Sequence, residues 1–187
     1  MISTADFKNG VTLLLDNSLM EIVEFQHVKP GKGGAFVRTK LKNVLTGRTI
    51  DKTFRSGEKM EQARLVEEPH QYLYNDGDLY HFMHTQTYEQ VAVGSNIVGE
   101  TKKWLKENGE VGLLFHGANP IKISLPLSVE LLITKSDPGI QGDRVQGGTK
   151  PATLETGANV QVPLFLNEGD TIKIDTRTGE YVERVNN

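Results

Sequence analysis

Residues 35–44 alternate with period two. Ala35, Val37, Thr39 and Leu41 fall on one face, and Phe36, Arg38, Lys40 and Lys42 on the other. That period makes a half-buried strand, here with a basic outer face. Similar short runs recur along the chain. In the first third, residues 13–15, 21–28 and 49–54 are apolar and β-branched, punctuated by Asp16-Asn17-Ser18 and Thr46-Gly47-Arg48, which are turn formers. Ser3-Thr4-Ala5-Asp6 has the capping-box pattern and predicts one helical turn.

The middle third reads as strand, turn, strand: residues 71–74, then Asn75-Asp76-Gly77-Asp78, then residues 79–83, with Asp-Gly as the hairpin signal. Residues 87–93 either continue that sheet or lead out of it. Ile97, Thr101, Trp104 and Leu105 recur at helical spacing and predict a helix over 97–107, stopped at Asn108-Gly109. Residues 111–115 and 121–125 are further strands. In the last third, residues 129–135, 160–166, 171–175 and 180–185 read as strands. Residues 137–157 hold five glycines and two prolines and are expected to be loop. The pattern predicts an all-β chain of three small β-barrel domains, over residues 1–64, 65–127 and 128–187. Units of this size fit SH3-like and OB-like modules better than a sandwich.

Composition narrows the class. Hydrophobic residues make up 37 % and charged residues 24 %, a globular balance rather than a disordered one. The absence of cysteine excludes disulfides, thiol nucleophiles and cysteine-held metals. The opening MISTADFKNG lacks the basic segment and apolar run of a leader, and no apolar run is long enough to span a bilayer. The expectation is a cytoplasmic protein with no membrane partner.

The net charge of −3 is unevenly distributed. Residues 1–64 carry eleven Lys and Arg against seven Asp and Glu, residues 65–127 four against eight, and residues 128–187 six against nine. No acid occurs between Glu24 and Asp51, while Lys29, Lys32, Arg38, Lys40, Lys42 and Arg48 all do. A solvated strand face is the bland account of such a run; this density without interleaved acids points to a phosphate-backbone partner.

Within that run lies Pro30-Gly31-Lys32-Gly33-Gly34. It lacks the spacing of a P-loop, no Ser or Thr follows the lysine and no helix pattern follows it, so nucleotide hydrolysis is not expected. Glycines have no Cβ, so a tip built from them can be narrow and approach another surface closely. Lys32 is then a cation presented into a confined anionic place. His81 and His84, three apart on a strand, point to opposite faces, and no metal site is expected. No carboxylate pair and no nucleophile elbow is present, so no catalytic residue and no cofactor is assigned. Trp104 reads as core, and Tyr72, Tyr74, Tyr80 and Tyr88 as sheet packing rather than a base-stacking set. A second glycine-bearing loop, residues 142–150, offers Arg144 and Lys150 as further contacts with RNA or protein.

Four stretches identify a family. They are Phe25-Gln26-His27-Val28-Lys29-Pro30-Gly31-Lys32-Gly33; Thr87-Tyr88-Glu89-Gln90; residues 147–157, GGTKPATLETG; and residues 160–163, VQVP, with residues 175–182, DTRTGEYV. Together they resemble bacterial translation elongation factor P over the whole chain. The resemblance implies an SH3-like (KOW-type) first domain followed by two OB-like domains, in an L-shaped, tRNA-like arrangement. It implies a monomer that binds the ribosome, through rRNA and ribosomal proteins, between the peptidyl and exit sites, and that promotes peptide-bond formation at consecutive prolines. Lys32 would approach the acceptor end of the peptidyl-tRNA, supported by Pro30, Gly31, Gly33 and Gly34, with Lys29, Arg38, Lys40 and Lys42 on RNA phosphates. A modifying enzyme that lengthens Lys32 is a further implied partner. A lysine there excludes the arginine-rhamnose type and leaves β-lysylation, an aminopentanol-type addition or no modification. The chain departs from the pattern at Arg144-Val145, where many members have two small residues, and at His84 and Gln86, where acids are frequent. The alternatives are a specialised paralogue of that factor and a general single-strand nucleic-acid-binding OB protein.

Overall fold

The computed structural model describes residues 1–138 and 148–185. Its strands are β1 (Ile2–Ser3), β2 (Thr12–Leu15), β3 (Ser18–Val28), β4 (Phe36–Asn43), β5 (Thr49–Arg55), β6 (Lys59–Ala63), β7 (Leu65–Asn75), β8 (Leu79–His84), β9 (Gln90–Gly94), β10 (Glu110–His116), β11 (Asn119–Ser124), β12 (Ser128–Ser136), β13 (Thr149–Leu154), β14 (Asn159–Pro163), β15 (Thr171–Asp175) and β16 (Tyr181–Val185). They form three sheets, ordered β1-β6-β2-β3-β4-β5, β11-β10-β7-β8-β9 and β14-β13-β12-β15-β16. The all-β expectation holds.

The chain divides into two compact units. One comprises Met1–Val66 with Phe115–Ile121, the tip of the β10–β11 hairpin. Its first element is a 3₁₀ turn, Thr4–Asp6, closed by the predicted capping box: the Ser3 hydroxyl accepts from Ala5 N–H, and Ser3 N–H donates to the Asp6 carboxylate at 2.9 Å. Its core joins Phe7, Leu13, Met20, Ile22, Val37, Leu41, Phe54 and Met60, with Phe7 edge-on to Phe54 at 5.6 Å. The alternation along β4 is realised: Val37, Thr39 and Leu41 are buried while Arg38, Lys40 and Lys42 are exposed. Buried Thr39 satisfies its hydroxyl by donating to the Lys52 carbonyl at 2.7 Å, as a polar group taken out of water requires.

The other unit comprises Glu67–Leu114 and Lys122–Asn187 and holds the two five-stranded sheets. Phe82, Val93, Val98, Leu113 and Ile123 are buried around the first of these. Leu131, Ile133, Leu154, Val162, Leu166, Ile172 and Ile174 form the core of the last, with Trp104 packed against it. Two expectations are corrected here. The helix predicted over 97–107 is α-helical only at Ser95–Val98 and continues as a 3₁₀ segment, Gly99–Trp104. Gly99 sits at φ +50°, ψ −134°, which no α-helical residue adopts, and this breaks the ladder. The loop expected over 137–157 contains a strand, β13, paired with β12 and β14; its Pro151 and small residues hid the alternation.

Candidate nucleic-acid interface

The site is built by the β3–β4 hairpin. The two strands pair antiparallel to their ends, Val28 opposite Phe36, so residues 29–35 project as the connecting loop. Lys29, Pro30, Gly31, Lys32, Gly33 and Gly34 are all exposed. Gly33 has φ +109°, a conformation that side-chain-bearing residues rarely adopt, and a Cβ there would meet only Pro30 Cγ, at 3.9 Å. Gly31 and Gly34 have ordinary φ and open space around them. Among the described residues Lys32 has no hydrogen bond or ion pair. Its ammonium is therefore held in water on a short tip, with three donors free.

Below the tip, the outer face of β4 carries Arg38, Lys40 and Lys42. A bulge between Ile22 and Glu24 resets the register, after which Glu24 stands opposite Lys40. On the other side β5 places Asp51 opposite Lys40. The Lys40 ammonium lies 3.8 Å from the Glu24 carboxylate, with both side chains well exposed. Glu21 stands opposite Lys42. Arg38 is flanked instead by Gln26 and Thr53, and its guanidinium lies 5.5 Å from the centre of the Phe36 ring. So Lys29, Lys32 and Arg38 have no acid as a paired neighbour, whereas Lys40 and Lys42 do. A shallow groove of about 390 Å³ crosses β3, β4 and β5 between these groups and also takes in Lys52. Sequence reading did not single out Lys52, whose only signal is its place in the run 49–54.

The second expected contact divides. Arg144 lies outside the described residues. Lys150 is on β13 rather than in a loop. It is 5 % exposed, and its ammonium donates to the Asp137 carbonyl at 2.8 Å. A buried ammonium tied to the backbone fastens β13 to the end of β12 and is not presented to a partner.

The histidines separate as expected. His81 Nε2 donates to Asp76 Oδ2 at 2.7 Å, and the ring stacks on Tyr74 with centroids 4.5 Å apart. His84 points elsewhere, its Nδ1 accepting from the N–H groups of Gln86 and Thr87 at 3.1 and 3.2 Å. The His81 hydrogen bond, helped by the N–H groups of Leu79 and Asp78, lowers the Asp76 carboxyl to about 2. Among the described residues no group of three His, Cys, Asp or Glu side chains could hold a metal ion.

Three family models cover the chain in order: the elongation factor P KOW-like domain at residues 3–60, the elongation factor P OB domain at 65–123, and elongation factor P, C-terminal, at 129–184. An elongation factor P of Acetivibrio thermocellus is 57 % identical over 99 % of this chain and 100 % of its own length. That of Corynebacterium jeikeium is 56 % identical over the whole of both chains. Among solved structures, a translation initiation factor eIF-5A family protein from Naegleria fowleri aligns with a TM-score of 0.52 at 14 % identity, covering 66 % of this chain and 96 % of that one, a likeness of fold. A KOW-like unit with its exposed hairpin tip, two further β modules in the matching order, and relatives more than half identical from end to end place this chain in the elongation factor P family.

Proposed function

We propose that the protein acts on the ribosome, between the peptidyl and exit sites, and speeds peptide-bond formation at consecutive prolines through the Lys32 loop. In this reading residues 1–64 carry the probe, and residues 65–127 and 128–187 are the two domains that seat the molecule. The observation that carries it is the hairpin tip: one unpartnered lysine on a glycine-lined loop that leaves room for close approach.

The ribosome is the catalyst, and the protein contributes positioning. Proline is a rigid, poorly oriented substrate, and holding the acceptor end of the peptidyl-tRNA in a productive pose lowers an orientational barrier. The Lys32 ammonium offers three donors on a flexible stem, suited to phosphate and ribose oxygens; it needs no role as acid or base. Lys29 and Arg38 supply phosphate contacts, with Lys40 and Lys42 as weaker ones, and Arg144 remains a proposed contact of the third domain. A Lys32-modifying enzyme would extend the reach of the same tip, and the exposure of Lys32 leaves it accessible to one. The working state is a cytoplasmic monomer.

The test is a purified translation system lacking this factor and programmed with a three-proline reporter beside a proline-free one. Protein from its own host should rescue the proline reporter selectively, and Lys32→Ala should lose the rescue while melting as the parent does. Equal rescue by the variant would remove Lys32 from the reading. No rescue by the folded parent would leave a specialised paralogue or a general RNA-binding protein.

A further inference from the structure

The second compact unit contains a cleft to which the proposed function assigns no role. It has a volume of about 1160 Å³ and lies between the β7–β8 sheet, the 3₁₀ segment and the β13–β14 and β15–β16 turns. That exceeds the roughly 300–1,000 Å³ of most small-molecule sites, and fits a segment of a polymer better than a metabolite.

Its chemistry is uneven. Residues 65–127 are acidic, with four lysines against eight acids, yet three of those lysines, Lys102, Lys103 and Lys106, line the cleft. Lys103 pairs with Glu100. Lys106 reaches Glu155 at 3.4 Å and the Glu130 carbonyl at 3.3 Å. Lys102 is exposed, and its ammonium has neither an ion pair nor a hydrogen bond among the described residues. Glu107 and Glu155 also border the space, and with Lys103 held by Glu100 and Lys106 by Glu155, Lys102 is the cation of the cleft that no acid of the described residues pairs. The floor is aromatic. Trp104 is packed down on the last core. Tyr72 and Tyr80 lie 6.1 Å apart, inclined at 36°. Tyr72 is 7 % exposed, and its hydroxyl makes no hydrogen bond with any described residue. No fully buried side-chain oxygen or nitrogen of the described residues lacks a partner, so this hydroxyl opens on the cleft. Burial, then Tyr80 and Glu107, push its pKa up, and it stays a donor at neutral pH. Half-buried Tyr80 presents a ring beside it.

We propose that this cleft binds a short single-stranded RNA segment, with Lys102 and Lys103 on phosphates, Tyr80 under a base and the Tyr72 hydroxyl donating to it. Cations along one wall and aromatic rings along the other are the two parts a single-strand site combines. An acidic peptide would use the lysines but leave the rings idle. The proposal is independent of the Lys32 reading, and its binding assay contains no ribosome, so either can fail alone.

The experiment titrates the full chain into a short fluorescein-labelled oligoadenylate at low salt, read by anisotropy, with amide chemical shifts mapping the site. Saturable binding is expected, with shifts at Tyr72, Tyr80 and Lys102. The double variant Lys102→Glu/Lys103→Glu should weaken it about tenfold or more through lost phosphate contacts, and Tyr80→Ala by at least about fivefold, the lower end of a stacking contact. Lys135→Glu, outside the cleft, is the charge control and should bind as the parent does. Polyglutamate should compete poorly. Absence of binding, shifts confined to the first unit, insensitivity to Tyr80→Ala, or polyglutamate competing as well as the RNA would each overturn the proposal.

Discussion

Gly33→Ala tests the loop at the level of one dihedral angle. The substitution adds a methyl group whose nearest neighbour is Pro30 Cγ at 3.9 Å, an ordinary contact. Any penalty must therefore come from φ +109° itself. Holding a side-chain-bearing residue in so sparse a region costs on the order of 1–3 kcal/mol. No described core residue belongs to the loop, so the chain can relieve that strain by abandoning the tip conformation rather than by unfolding. The native tip would fall in population by roughly five- to 150-fold at 1.4 kcal/mol per decade, while the melting temperature barely moves. Gly31→Ala and Gly34→Ala, with φ negative and open space, should be near neutral in both respects. The assay is rescue of the three-proline reporter across a factor titration, beside thermal melts of all three variants. D-alanine placed at position 33 by semisynthesis adopts positive φ freely and should restore activity. Full activity of Gly33→Ala, or equal losses at all three glycines, would refute the argument that a single backbone conformation presents Lys32.

Three further outcomes follow from the geometry. Arg38→Ala should weaken ribosome binding more than Lys40→Ala, because Glu24 and Asp51 flank Lys40 in the sheet; filter binding over a salt series measures both, with a flatter salt slope expected for Arg38→Ala. Phe82→Ala removes a fully buried ring and should cost about 3–5 kcal/mol in urea denaturation, with Phe82→Leu costing clearly less. Asp76 has its carboxyl lowered from 3.8 to about 2 in the folded chain. Its contribution is present above pH 3.8 and is lost as pH falls toward 2, so the melting-temperature deficit of Asp76→Asn should be visible at neutral pH and vanish near pH 2.

Much of the fold was legible because its signals are local. The capping box at Ser3 and Asp6 needs only four residues, and the period-two alternation of β4 needs only that the chain be extended. The strands that escaped notice, β1, β6 and β13, are short or broken by small residues and proline, and take their place from their partners. β1 exists because Ile2 and Ser3 pair with Met60 and Lys59, more than fifty residues away. The predicted helix failed for a related reason: the 3.6 spacing of Ile97, Thr101, Trp104 and Leu105 is met equally well by an α turn followed by a 3₁₀ segment once Gly99 takes positive φ.

The site was half legible, and the division is physical. A loop tip owes its character to its own residues, so the exposed turn that carries Lys32 among glycines is legible from the chain alone. A strand face does not. The acid-free interval between Glu24 and Asp51 is a property of the sequence, but those two bounding acids are the residues that the antiparallel pairing brings alongside Lys40, one from β3 and one from β5. Hairpins do this generally: residues that bracket a basic strand at a distance along the chain become its lateral neighbours. Exposed ion pairs of this kind add about 0–1 kcal/mol each, too little to hold the fold but enough to lower the local potential that the proposed RNA phosphate would meet. Positive charge therefore survives where strand pairing cannot reach it, at the loop, and on Arg38, whose partners Gln26 and Thr53 are neutral. Lys150 marks the converse limit, since burial turns a residue read as a surface cation into a fastening for the Asp137 carbonyl.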